Sequence, residues 1–196
     1  MLEKEQLEEL YSSGLSMQEI ADKEKLSYPS VRYWMQQLGI QRRSWSDATY
    51  AKRNLDGDPF SIKELRSVDD LKLFHTAIGL YLGEGDKKSK HHVNIANTNP
   101  YILKIFLRFL REICGANECK ISAALNIFND VDLKKAISYW IGEVGIRREQ
   151  LRTITVRESR GGSYKNKSEY GTLSIYFSNI KLKKIIIDWC EEVVIV

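Results

Sequence analysis

GLSMQEIADKEKLSYPSVRYWMQQLGI, residues 14–40, contains the start and stop signals of two short helices. Ser16 is a good helix N-cap, and Glu19, three residues later, completes the pattern of a capping box. Ser27 has the same capping chemistry at the start of the next helix, and Gly39 is a typical stop. The stretch therefore predicts two helices joined by a tight turn.

Another helix is predicted before this stretch, at 3–13, because Leu7, Leu10 and Tyr11 recur at helical spacing. In chain order it is the first of three. Three short helices with a tight turn between the second and the third form a helix-turn-helix. The pattern resembles the helix-turn-helix of recombinases and of many bacterial regulators. It predicts a domain over residues 1–43. The side chains expected in its small core are Leu15, Ile20, Ala21, Leu26, Val31, Met35, Leu38 and Ile40.

The outer face of the third helix should be exposed if Val31, Met35 and Leu38 face inward. Its residue types suit the major groove of DNA, where Arg pairs with guanine and Gln with adenine, while Ser and Tyr reach phosphates. A helical module that binds another protein is the alternative. The DNA contacts predicted on this helix are Tyr28, Ser30, Arg32, Tyr33 and Gln36.

Residues 44–67 are predicted to be a basic linker, since small, basic and turn-forming residues alternate there and 56–59 reads Asp-Gly-Asp-Pro. Arg42 and Arg43, just before it, are predicted to contact DNA, because basic segments after such domains often follow the phosphate backbone. A plain hinge is the alternative.

A nearly apolar helix is predicted over 68–84, and two features of it call for an explanation. Gly79 and Gly83 lie on one face, although each costs roughly 1 kcal/mol in a helix interior, so something should approach that backbone closely. Glu84 stands at the C-terminal end, where the helix dipole disfavours negative charge. A divalent metal ion would stabilise it, with Asp86 as a second ligand. The alternative is that both acids are exposed residues of a turn.

The stretch AIGLYLGEG, residues 77–85, resembles the LAGLIDADG motif of homing endonucleases. In that family two motif helices pack side by side through small residues, and the acid before the final glycine binds the metal ions used to cleave DNA. The resemblance implies a dimer interface at Gly79 and Gly83 and a catalytic, metal-binding Glu84. With a single motif in the chain, it also implies a homodimer that holds Mg²⁺ and cuts both strands of a near-palindromic double-stranded DNA.

The rest of the chain predicts an α+β fold class, with residues 68–196 as a LAGLIDADG-like domain carrying an antiparallel DNA-binding sheet. Strands are expected at 92–99, 119–128, 151–159 and 170–178, with helices at 99–115, 131–145 and 180–193. The family has two strands between the motif helix and the next helix. Here only one convincing strand lies there, and the helix at 131–145 is additional.

Several cations are candidates for a role at the site. Lys165 and Lys167 are predicted to assist catalysis, since a nearby cation helps phosphodiester chemistry, and contact with phosphate is the alternative. The other cations predicted to contact DNA are Lys87, Lys88, Arg152 and Arg157. For the two arginines, a half-buried sheet with one solvated side is the alternative explanation.

Composition sets the wider limits. The 196 residues are 43% apolar and 29% charged, with a net charge of +4, which is typical of a folded soluble protein. No apolar run approaches the length of a membrane span, and the acidic N-terminus does not look like a secretory signal, so no membrane partner and a cytoplasmic location are expected. His91 and His92 are adjacent and would point to opposite faces of a strand, so they are not predicted as ligands.

These observations predict a site-specific, metal-dependent DNA endonuclease. The alternative is a non-cleaving DNA-binding regulator built on the same fold. The retained Glu84 favours the enzyme, whereas the divergent motif and the reduced sheet favour the regulator. A role in RNA splicing is disfavoured, because side chains cannot read the deep major groove of RNA.

Overall fold

The computed structural model describes residues 3–159 and 168–194 of the chain. Over these residues the fold is α+β, as predicted, with eight α-helices and one four-stranded sheet. The chain divides into two compact units, Met1–Asp58 and Pro59–Val196. The boundary falls inside the Asp-Gly-Asp-Pro break of the predicted linker.

The first unit contains four helices. They are α1 (Lys4–Ser12), α2 (Met17–Lys23), α3 (Tyr28–Gln37) and α4 (Trp45–Arg53). The capping box predicted for α2 is confirmed: the Glu19 N–H donates to Ser16 Oγ at 3.2 Å, and the Ser16 N–H donates to a Glu19 carboxylate oxygen at 2.7 Å. Ser27 caps α3 in the same way, accepting the Ser30 N–H at 3.2 Å. Local hydrogen bonds therefore set where both helices begin.

The turn between α2 and α3 depends on a left-handed residue. Lys25 has φ +56°, and the Leu26 N–H reaches back to the Ala21 carbonyl at 2.9 Å. This reversal leaves the Leu26 side chain 38% exposed, so its prediction as a core residue is wrong. Leu7 of α1 is fully buried instead. The other predicted core side chains are buried or packed against this core: Leu15, Ile20, Ala21, Val31, Met35, Leu38 and Ile40.

The prediction of an irregular linker over 44–67 is wrong in two places. Residues 45–53 form α4, whose first turn is capped by Ser44, which accepts the Asp47 N–H at 3.1 Å. Farther on, the Ser61 N–H donates to the Cys114 carbonyl at 3.0 Å, so this segment is bonded into the second unit. Small and polar residues that suit a loop also suit a short capped helix, and composition did not separate the two.

The second unit alternates helices with strands. Its elements are α5 (Val68–Glu84), β1 (His92–Asn97), α6 (Pro100–Arg108), which continues into a π-helical turn (Phe109–Ile113), β2 (Ile121–Phe128), α7 (Leu133–Val144), β3 (Leu151–Arg157), β4 (Thr172–Ser178) and α8 (Ile180–Val194).

The strand order in the sheet is β1-β4-β2-β3. Strand β4 is antiparallel to both of its neighbours, whereas β2 and β3 are parallel. The expectation of an antiparallel sheet is therefore wrong at this last pair. The reason is α7, because parallel neighbours need a crossover of a dozen residues or more and this additional helix supplies it.

One face of the sheet forms the core with the helices. Alternate residues of the three strands β1, β4 and β2 are buried, and they share a single apolar cluster with Ala77 and Tyr81 of α5, Phe106 of α6, Trp140 of α7 and Ile186 of α8. The strand residues in this cluster are Val93, Ile95, Ile121, Ala123, Leu125, Ile127, Leu173, Ile175 and Phe177. Because side chains alternate across a strand, the other residues of each strand belong to the opposite face.

The capping box of α2 gives a pH-dependent prediction for the first unit. The hydrogen bonds from Ser16, followed by the Lys52 ammonium at 3.2 Å, lower the pKa of Glu19 from 4.5 to about 2. A pKa that is lower in the folded state stabilises the fold fully above pH 4.5, and this contribution is lost as the pH falls towards about 2. Glu19→Gln should therefore lower the free energy of unfolding at neutral pH, and its difference from the parent should shrink through that window.

Denaturant unfolding of the first unit, followed by circular dichroism at a series of pH values, measures this difference. Glu9→Gln removes an exposed carboxylate of α1 without touching the cap and serves as the control. A Glu19→Gln difference that stays constant from neutral pH to pH 2 would show that the capping carboxylate does not couple to folding.

Candidate nucleic-acid interface and acidic turn

The sheet face opposite the core, here called the open face, carries no acidic side chain. None of the four strands contains Asp or Glu. Neighbouring strands place polar residues side by side, as in the row Asn94–Tyr176–Ser122. The open-face residues are His92, Asn94, Ala96, Ser122, Ala124, Asn126, Phe128, Thr153, Thr155, Arg157, Thr172, Ser174, Tyr176 and Ser178.

The two arginines predicted on the sheet have different positions. Arg157 is exposed at the end of β3, paired with Phe128 on the open face. Arg152 is also exposed, but it lies at a register shift between Leu151 and Thr153, outside the regular alternation of the strand. Only Arg157 is therefore assigned to the open face by the strand register.

On α3, three of the five predicted DNA contacts are exposed. These are Arg32, Tyr33 and Gln36. Tyr28 and Ser30 are half-buried, and the Ser30 hydroxyl bonds to Ser27 Oγ at 2.8 Å. Tyr28 and Ser30 are therefore less accessible than the other three, and contact of all five with DNA stays a prediction. Gln37 is exposed as well and was not predicted.

The two arginines after α3 also differ. Arg42 is exposed. Arg43 is half-buried, with its guanidinium 3.9 Å from the centre of the Tyr11 ring and a hydrogen bond to the Leu15 carbonyl at 3.3 Å. Arg43 thus helps to hold the first unit together, a role that its sequence position did not indicate.

Gly79 and Gly83 lie on the exposed side of α5. The buried side of this helix is formed by Leu73, Ala77, Ile78 and Tyr81. A Cβ placed on either glycine would meet no atom of the described chain within 4 Å. The close approach that these glycines predict is therefore not made by another part of the described residues.

Glu84 is the last residue of α5, and its side chain is exposed. Among the residues that the structure describes, none forms a hydrogen bond or an ion pair with its carboxylate. The helix dipole disfavours an anion at this end. The position therefore suits a carboxylate that binds a cation from outside the chain.

Asp86 has partners of its own within the loop. One carboxylate oxygen accepts the N–H of Lys88 at 2.9 Å and that of Ser89 at 3.2 Å. These bonds, the one from Ser89 first, hold the pKa of Asp86 below its usual range, with help from the charges of Lys183 and His92. Asp86 is therefore an anion at neutral pH.

Residues 84–86, here called the acidic turn, are fixed to their surroundings through the backbone. Gly85 forms a bridge with Ile95 of β1, and the Asp86 N–H donates to the Asn94 carbonyl at 2.9 Å. Only glycine fits at 85, because a Cβ there would lie 2.4 Å from the Tyr81 carbonyl oxygen. The steric limit set by the Tyr81 carbonyl therefore explains why the motif ends with glycine at position 85.

A buried tyrosine and lysine complete these contacts. The Tyr81 hydroxyl donates to the Asp86 carbonyl at 3.0 Å, and the Lys183 ammonium donates to the Tyr81 oxygen at 2.6 Å and to the same Asp86 carbonyl. Burial raises the pKa of Tyr81, which keeps the hydroxyl protonated as a donor. Sequence reasoning missed both residues, since each reads as an ordinary position on an apolar or amphipathic helix.

The remaining predicted cations lie near the acidic turn or outside the described residues. Lys87 and Lys88 are exposed, and the Lys87 ammonium bonds to the Leu82 carbonyl at the end of α5. Lys165 and Lys167 lie outside the described residues. No group of three His, Cys, Asp or Glu side chains able to hold a metal ion occurs within the described part of the chain.

Comparison with protein-family models, with curated proteins and with solved structures finds no match to this chain. None of the helices in the described part of the chain is long and apolar enough to cross a membrane. The surfaces described above are therefore the basis for inferring a function.

The open glycine face of α5 gives a stability prediction. In the monomer, at protein concentrations too low for self-association, Gly79→Ala should raise the free energy of unfolding by about 1 kcal/mol, since alanine is the better helix former and its methyl group meets no neighbour within the described chain. Gly142→Ala on α7, where the added methyl group also meets nothing, should give a similar gain and is the matched control. Denaturant unfolding of both variants measures the difference. A loss at Gly79 together with a gain at Gly142 would contradict an unoccupied face.

Proposed function

We propose that this protein is a sequence-specific DNA-binding protein that acts as a homodimeric, metal-dependent DNA endonuclease. The observation that carries the proposal is the position of Glu84, an exposed carboxylate without a partner in the described chain. It ends a helix whose exposed side is lined by glycines, and the backbone beside it is held by buried hydrogen bonds. A carboxylate in such a place suits metal-dependent chemistry better than it suits the stability of the helix.

The first unit supports DNA docking through a helix-turn-helix formed by α2 and α3. Both helices are capped, the turn between them is closed by the bond from Leu26 to Ala21, and α3 exposes Arg32, Tyr33 and Gln36. Arginine and glutamine are the residue types that read guanine and adenine in the major groove. In this proposal α3 is the recognition helix.

The second unit supports a DNA contact through the open face of the sheet. Strands without acidic residues do not repel phosphates, and their hydroxyl and amide groups are common donors to the DNA backbone. Arg157 adds a positive charge at the end of β3. In this proposal the open face of the second unit contacts the DNA backbone, and the first unit reads bases through α3.

The metal fits the donor set of the acidic turn. Carboxylate oxygens are the ligands that Mg²⁺ prefers, and Glu84 and Asp86 supply them two residues apart. When bound, Mg²⁺ activates water and stabilises the leaving oxygen of a phosphodiester. One described chain lacks a cluster of three ligating side chains. Pairing of two α5 helices through Gly79 and Gly83 would bring two acidic turns together.

A non-cleaving regulator is the second candidate, and the sheet favours it. Only one strand lies between α5 and α6, and β3 is parallel to β2, so the sheet differs from the antiparallel arrangement that the resemblance implies. Such a protein would bind DNA without needing the acidic turn.

A binding selection followed by a change of metal separates the two candidates. Random duplex DNA is selected on the protein in Ca²⁺, and the enriched DNA is then moved to Mg²⁺ with the parent protein, Glu84→Gln and the control Glu192→Gln. Glu192 is an exposed carboxylate of α8. We expect cleavage of both strands by the parent and the control, and none by Glu84→Gln, because Glu84, unlike Glu192, is proposed as a metal ligand.

Specific binding without cleavage by any of the three proteins would exclude the nuclease and leave the regulator. Cleavage by Glu84→Gln at the parent rate would show that Glu84 is not a ligand of the catalytic metal. Failure to enrich any sequence would count against DNA recognition by α3.

Dimer formation through α5 is tested by adding bulk to the glycine face. Gly83→Leu should weaken self-association roughly tenfold to a hundredfold, since overfilling a packed interface costs about 1–3 kcal/mol. Gly142→Leu adds the same side chain to an exposed position of α7 and should leave association unchanged. Sedimentation equilibrium of the two variants gives the dissociation constants. Equal constants would place any dimer interface elsewhere.

A further inference from the structure

We propose that Lys183 is the positioning residue that holds the acidic turn in the shape needed to bind metal, an inference that rests on the proposed function. Lys183 does not face solvent or the open face of the sheet. Its ammonium bonds to the backbone carbonyl of Asp86, and it bonds to neither the Glu84 nor the Asp86 carboxylate within the described residues.

Burial sets Lys183 apart from the other lysines of its helix. It is 4% exposed, whereas Lys181 and Lys184 are exposed. Lysine is almost never fully buried unless its charge is paired. No carboxylate forms an ion pair with Lys183 in the described part of the chain. Its ammonium bonds instead to two oxygens, the Tyr81 hydroxyl and the Asp86 carbonyl.

An apolar side chain of similar length would fill this space at a lower desolvation cost. The amine is therefore explained by what it binds. Its two acceptors belong to the last turn of α5 and to the acidic turn, and α8 thereby joins both. Lys183 also lies 5.1 Å above the Tyr81 ring, which is stacked on Phe106 in the core. The lysine is thus in contact with the aromatic core of the second unit.

The bonds leave the Asp86 peptide little freedom. Its carbonyl accepts from both Tyr81 and Lys183, and its N–H donates to Asn94 of β1. Gly85 is confined by the Tyr81 carbonyl on one side and by its bridge to Ile95 on the other. With the backbone fixed on both sides, the Cα positions of Glu84 and Asp86 are set before any metal arrives, and the Asp86 carboxylate is also held by the N–H groups of Lys88 and Ser89.

Lys183→Met removes the two bonds and keeps the length of the side chain, and Lys184→Met is the matched control on the same helix. The probe is Mn²⁺, titrated into the protein and followed by paramagnetic broadening of the amide signals of residues 84–89. Amide hydrogen exchange of Asp86 is measured on the same samples. We expect Lys183→Met to weaken Mn²⁺ binding about tenfold to a hundredfold, the usual effect of losing an outer-shell partner, and to speed exchange at Asp86. Lys184→Met should match the parent in both measurements.

Tyr81→Phe provides a second variant, which loses one donor to the Asp86 carbonyl and keeps Lys183. We expect it also to weaken Mn²⁺ binding and to speed amide exchange at Asp86. If Lys183→Met does not fold, Lys183→Gln takes its place, because its shorter side chain also loses the present bond to the Asp86 carbonyl while remaining polar. Parent-like Mn²⁺ binding in the folded variants would overturn the inference. So would faster exchange spread over the whole second unit with unchanged Mn²⁺ affinity, since that pattern belongs to general packing.

The outcome for the parent protein separates this inference from the proposed function. A parent that binds no Mn²⁺ at residues 84–89 overturns the metal-dependent function and, with it, a metal-positioning role for Lys183. A parent that binds Mn²⁺ while both variants bind equally well overturns only the role of Lys183.

Discussion

Gly85 bridges Ile95, and the Asp86 N–H donates to Asn94, so the end of α5 is hydrogen-bonded to the middle of β1. This junction decides the layout of the second unit. It sets α5 against the buried face of the sheet and leaves the glycine side of the helix exposed. It also places the acidic turn beside the first residues of β1, where Ser89 accepts the N–H of His92 at 3.1 Å. The core, the glycine face and the acids thus have fixed relations to one another because one short stretch of backbone is bonded on both sides.

The charge distribution follows the same layout. Acidic residues are absent from all four strands and occur on helices and loops, while most open-face residues carry hydroxyl or amide groups and Arg157 lies at its edge. An anionic polymer would meet no fixed negative charge from the strands on such a face. The two carboxylates of the acidic turn lie where α5 ends. In the proposed nuclease, the open face would bind phosphates and the two carboxylates would hold a metal ion, whose positive charge would offset the charges of both groups.

Features encoded locally could be predicted from the sequence. The caps at Ser16 and Ser27, the apolar helix over 68–84 and the single strand between α5 and α6 depend on neighbouring residues, and each is present as predicted. Features that depend on distant contacts could not. The parallel pairing of β3 follows from where α7 crosses the sheet, and the exposure of Leu26 follows from the left-handed Lys25. The bonds from Lys183 to Tyr81 and to Asp86 join residues about a hundred positions apart, and no short pattern marks them.

The choice between nuclease and regulator depends on why Glu84 is present. An unpaired anion at a helix C-terminus costs about 0.3–1 kcal/mol and brings no compensating contact within the described chain. A regulator that only docks on DNA gains nothing from it, because a carboxylate beside the phosphate backbone weakens binding. The buried Lys183 amine joins α8 to the end of α5 in either candidate, so it stabilises the turn whether or not a metal binds there. The proposed metal binding would give the Glu84 carboxylate a function that docking on DNA alone does not.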